Sequence, residues 1–178
     1  MGGAELAVAP DAAQQMFAHH PWPLRRAGEP GCYAANAKLM QITIRQYDED
    51  DPPHTLVAIS GGGCAAQQDA YIDEASWLEF GRALQGFPRD LTHVVTFEHG
   101  SPDPSYYCHI ELRAYVYDSV GHTALRVRMT NHGSDPQASS ATFSLLVEAA
   151  TLNRIGARLE QWVLGTEPVF QFSFGEGE

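Results

Sequence analysis

The alternation of apolar and polar side chains over residues 109–130 constrains this chain more than any other stretch. From His109 to Asp118, Ile110, Leu112, Ala114 and Val116 fall on one face, and Glu111, Arg113, Tyr115 and Tyr117 fall on the other. From Thr123 to Thr130, Leu125, Val127 and Met129 alternate with Arg126, Arg128 and Thr130. Period two over two such arms means two half-buried strands. A two-residue connection at Ser119 and Val120 pairs Leu112 with Val127 and Glu111 with Arg128, whereas a one-residue slip sets Leu112 against Arg128. The even register is the only one that keeps core against core.

The rest of the chain supplies partners for that hairpin. Strands are expected at about Lys38 to Gln46, Thr55 to Ser60, Thr92 to Glu98 and Ala141 to Glu148, the first and last of them with apolar residues at every second position, and Val169 to Phe174, with aromatics at 170, 172 and 174, reads as a last short strand or an arm docking in a groove. The Ser60-Gly61-Gly62-Gly63-Cys64 segment ends the second of these with flexible backbone. Helices are expected at about Asp69 to Gln85, with Trp77, Phe80 and Leu84 on one stripe, and at about Thr151 to Leu164, with Leu152, Ile155, Leu159 and Trp162 on another. Gly86 with Phe87-Pro88 stops the first, and Gly165 stops the second. No internal repeat is visible. The expected fold is a single α+β domain over 37–174, an antiparallel sheet of five or six strands with two helices packed on one face. Residues 1–36, punctuated by prolines and without sustained period, read as an N-terminal arm, and 175–178 as a disordered tail.

Charge narrows the classes of function. The chain carries a net charge of -11, and Lys38 is its only lysine among eleven basic residues. Such a balance argues against nucleic acid and anionic membrane surfaces, and fits a basic protein partner or plain solubility. No basic start precedes an apolar run, and no stretch has the roughly 18 apolar residues of a membrane helix, so the expected location is cytoplasmic. Cys32, Cys64 and Cys108 have neither disulfide-framework nor CxxC spacing.

Several short motifs invite chemistry and lack its remaining parts. The acidic run Asp48, Glu49, Asp50 and Asp51 resembles the start of a calcium loop, but Pro53 stands where an EF-hand needs glycine. His109-Ile-Glu111 matches half of a zinc deaminase pattern without its later cysteines. Glycines 61–63 lack the Lys-Ser/Thr of a phosphate loop. Cys108 and His109 are adjacent on a strand and point to opposite faces, which excludes a dyad. The expectation is therefore a non-enzyme with no metal and no cofactor. The remaining candidates are binding surfaces: the acidic run 48–51, and the hairpin's polar face of Glu111, Arg113, Tyr115, Tyr117, Arg126 and Arg128, whose tyrosine and arginine content suits an interface. Arg113 opposite Arg126 costs stability unless an acid lies between them, supplied by a neighbouring strand or by a partner. An alternative is a small-molecule site in a groove between sheet and helices, lined by Trp77, Phe80 and Trp162.

The order of elements over roughly 37–164 carries a resemblance. A helix ending in Leu84-Gln-Gly-Phe-Pro88, a strand ending in Tyr117-Asp118 with Gly121-His122, and a helix bearing Leu152, Ile155 and Leu159 together resemble small bacterial α+β proteins, among them the WapI-type immunity proteins of polymorphic toxins. The resemblance implies a non-enzymatic binder that occludes a toxin, and the acidic balance then suits a basic target.

Overall fold

The structure, a computed structural model, describes residues 39–47 and 52–175. The N-terminal arm, the acidic run 48–51 and most of the tail lie outside the described residues. The chain folds into strands β1 (Met40–Gln46), β2 (His54–Gly61) and β3 (Cys64–Tyr71), helix α1 (Glu74–Leu84), strands β4 (Val94–Gly100), β5 (Cys108–Val116), β6 (Thr123–Asn131) and β7 (Ser139–Leu146), helix α2 (Ala149–Val163) and strand β8 (Val169–Phe174). It is a mixed α+β protein with antiparallel pairing throughout.

The strands form two sheets of four, ordered β3-β2-β1-β8 (sheet A) and β4-β5-β6-β7 (sheet B), which corrects the expected single sheet of five or six. Two features of the chain account for the difference. First, Cys64–Tyr71 is a strand, where the helix was expected to begin by Asp69. Its sequence has no β-branched residue, and its inward positions include Gln68, 4% exposed. What makes it a strand is the turn before it: Gly62 and Gly63 have φ of 57° and 78°, the two left-handed residues of a tight hairpin, and Gly61 pairs directly with Cys64. Second, β8 crosses back to pair with β1, aligning Ile42 with Phe172 and Ile44 with Phe170.

The β5–β6 hairpin has the expected register, with Glu111 opposite Arg128, Leu112 opposite Val127 and Arg113 opposite Arg126. Asp118 closes its turn, its Oδ1 accepting the backbone N–H groups of Val120, Gly121 and His122. Ile110, Leu112, Ala114, Leu125, Val127 and Met129 are all buried.

The two halves share one topology. In space, β8-β1-β2-β3 with α1 after β3 matches β4-β5-β6-β7 with α2 after β7, although β8 is the last strand of the chain and enters sheet A by crossing back to β1. Buried Ile72 and Val147 occupy the same place between strand and helix. On the helices, Trp77 and Leu152, Phe80 and Ile155, Gly81 and Gly156, and Leu84 and Leu159 correspond at one constant offset, and every one is buried. The helices cross at the glycines, where a Cβ on Gly81 would lie 2.9 Å from the Gly156 carbonyl oxygen. This close approach lets both helices drop onto the sheets, so that one core joins Ile42 and Ile44 of sheet A with Phe97 and Leu112 of sheet B. Trp77 stacks on Phe97 with centroids 4.1 Å apart and planes 9° apart. Glu160 ties the helices at the surface, accepting from Arg82 Nε (2.8 Å) and Gln85 Nε2 (2.7 Å).

Candidate functional site: the outer face of sheet B

The apolar parity of β5 and β6 turns the polar members of both arms outward together, and the registers with β4 and β7 extend this face to four strands. Three rows run across it. Glu98, Glu111, Arg128 and Thr142 form one, Thr96, Arg113, Arg126 and Ser144 the next, and Val94, Tyr115, Ala124 and Leu146 the third. Because Ala124 is small, Tyr115 lies across β6 and its hydroxyl approaches Ser144 Oγ at 3.3 Å. Beyond the strand ends, Tyr117 stacks beside His122 with centroids 5.9 Å apart. Val94, Tyr117, Val120 and Leu146 are exposed apolar or aromatic groups at this end, Val120 and Leu146 at 76% each.

The charges on the face do not cancel locally. Glu111 Oε2 lies 3.6 Å from Arg128 Nη1. Glu98 is engaged elsewhere, its Oε1 lying 2.9 Å from His109 Nε2. His109 follows the outward parity yet is only 1% exposed. It faces Gly100, whose φ of 74° and close approach to the Cys108 carbonyl leave no room for a Cβ. Both acids of the neighbourhood are thus taken, and among the described residues neither Arg113 nor Arg126 has an ion-pair partner. Arg113 Nε and His109 Nδ1 are buried atoms without a hydrogen-bond partner there. Two like charges directly across a ladder, with one donor nitrogen unsatisfied, are a cost that the fold itself does not require.

Six of the ten residues singled out from sequence, Glu111, Arg113, Tyr115, Tyr117, Arg126 and Arg128, come together at this face or its end. Asp48, Glu49, Asp50 and Asp51 lie outside the described residues. Sequence reasoning missed Glu98, Ser144, Val94 and Leu146, because nothing local states which strands flank the hairpin. The groove suggested by Trp77, Phe80 and Trp162 is not one space. Trp77 and Phe80 are packed into the core, where the free volume beside them is about 10 Å3, the room of a single water at most. Trp162 instead lines a separate cleft of about 400 Å3 with Gln46, Tyr47, Glu74 and Glu167, and its Nε1 donates to the Glu167 carbonyl.

No helix among the described residues is long and apolar enough to cross a membrane. Two four-stranded antiparallel sheets with a crossed helix pair, and an arginine- and tyrosine-bearing outer face, are what define this chain. A scan against protein-family models finds none that matches it, and a search of curated proteins finds no match either.

Proposed function

We propose that the chain is a protein-binding module and that the outer face of sheet B is its recognition surface. The observation that carries this reading is the cross-strand pair Arg113 and Arg126, without a neutralising acid among the described residues and bordered by Tyr115, Tyr117 and Leu146. Arginine and tyrosine beside exposed apolar side chains is the composition of interface hot spots, and an acid from a partner would turn the cost of the arginine pair into affinity. Within this class, occlusion of a basic toxin in the manner of the immunity proteins draws its support from the net charge of -11. That form of the reading uses the acidic run 48–51 as a second surface.

A pull-down from the native cell tests both. The unaltered protein is compared with one carrying Arg113→Ser and Arg126→Ser, and with one carrying serine at positions 48, 49, 50 and 51. Loss of a captured partner in the first variant supports the sheet face, and loss in the second supports the acidic run. A partner indifferent to both, with both variants folded, removes both surfaces from consideration.

A further inference from the structure

We infer that β7 is an acceptor edge, which takes an extended partner segment of alternating acidic and apolar residues as a fifth strand of sheet B. The inference rests on the reading of this face as a recognition surface and specifies how the partner is held.

Of the four sheet edges among the described residues, β7 is the one whose own sequence carries no protection. Native edge strands discourage pairing with charge, proline, bulges or shortness. Strand β3 carries Asp69, which lies 3.2 Å from His54 Nε2. Strand β4 carries Glu98 and ends at Gly100, with its positive φ. Strand β8 is six residues long and follows Pro168. Strand β7 is eight residues, Ser-Ser-Ala-Thr-Phe-Ser-Leu-Leu, with no charge, proline or glycine.

The hydrogen-bonding groups of this edge that β6 leaves unused can be assigned. Val147 N–H donates to the Thr123 carbonyl, so Thr123 and Val147 are a hydrogen-bonded pair. With the uniform β6–β7 register, Leu145, Phe143 and Ala141 bond inward to β6, while the N–H and C=O groups of Ser140, Thr142, Ser144 and Leu146 point to the open side. The side chains of these four residues are the outward-facing ones, and all four are exposed.

Their size decides the charge of the guest. Arg126 lies beside Ser144, whereas Arg128, beside Thr142, is turned toward Glu111 on the β5 side. Strands are spaced about 4.8 Å apart, so the small Ser144 leaves the Arg126 side chain room to reach across β7 to the space where an added strand's outward side chains would stand. Arg126 has no acid among the described residues, and a carboxylate there would supply one. On the other face, half-buried Phe143 continues the core and would be covered by the guest's apolar positions. A second copy of the chain would bring its own unneutralised Arg126 to the same edge, which disfavours self-pairing.

The probes are a labelled heptapeptide alternating glutamate and valine and its lysine–valine counterpart, tested on the full chain by fluorescence anisotropy and amide hydrogen exchange. The glutamate peptide is expected to bind at least tenfold more tightly than the lysine peptide and to protect the Thr142 and Ser144 amides. Thr142→Pro removes an edge donor that β6 does not use, a change an edge strand tolerates, and is expected to weaken binding at least tenfold. Arg126→Glu should do the same. Equal or absent binding of the two peptides, protection at β3, β4 or β8 instead, or a dimer that Thr142→Pro dissociates would each overturn the inference. A natural partner that needs Arg113 and Arg126 but binds the Thr142→Pro protein at full strength would overturn strand addition and leave the face reading standing. A partner indifferent to those arginines would remove both.

Discussion

The carbonyl oxygen of Gly81 and the Cα of Gly156 sit so close that a methyl group on Gly156 would meet that oxygen, and would also lie 2.8 Å from Leu84 Cβ. Helix propensity alone favours alanine over glycine by about 1 kcal/mol. The contact outweighs it, because the obstacle is backbone and cannot swing aside. Gly156→Ala is expected to lower stability by about 1–3 kcal/mol in urea denaturation, as overpacked cores do, and an unchanged midpoint would mean that the helices can separate at little cost.

Arg113 and Arg126 make a prediction in the opposite direction. Replacing one of them by a carboxylate converts a like-charge cross-strand pair into an attractive one. Arg126→Glu should therefore stabilise the isolated protein by about 0.5–1 kcal/mol, while abolishing the capture of any partner that uses this face. Equilibrium unfolding and the pull-down together check this, and a destabilised variant would show that the arginines are satisfied by the fold.

His99, half-buried near the end of β4, is held below its ordinary value near 6.5 by the cost of burying its charged form. Just below pH 6.5 the unfolded chain therefore takes up a proton that the folded chain refuses. Stability is complete above that pH and falls as the pH drops toward the folded value. Urea midpoints measured between pH 7.5 and 5 should show this slope, and His99→Gln should flatten it. An unaltered slope would assign the effect elsewhere.

Asn153 links α2 to the segment after α1, its Nδ2 donating to the carbonyls of Phe87 (2.5 Å) and Ala149 (2.7 Å). Asn153→Ala strands the Phe87 carbonyl, beside a side chain that is itself buried. A loss of about 1–3 kcal/mol is expected by thermal or chemical unfolding.

How far these features can be read from sequence depends on how local they are. The hairpin register is legible because both arms carry their own parity, so Leu112 and Val127 have only one cheap alignment. The helices are legible from Trp77, Phe80 and Leu84 and from Leu152, Ile155 and Leu159. Strand β3 is not, since Gln68 and Ala70 are its buried residues and the Gly62-Gly63 turn is what dictates its pairing. The structural repeat is also hidden, because Trp77 matches Leu152 and Phe80 matches Ile155 in place but not in identity. On the candidate face, Arg113 opposite Arg126 could be foreseen from the hairpin alone. That Glu98 would go to His109 rather than to either arginine depends on the β4–β5 register, which no nearby residues encode.

The pairing of β8 with β1 has a consequence for how the chain is made. Sheet B is contiguous, and all its strands emerge from the ribosome in succession between Val94 and Leu146. Sheet A waits for Val169–Phe174, the one strand among the described residues that pairs with the far side of β1. Sheet B is thus built from consecutive strands, and sheet A is closed by the last strand described.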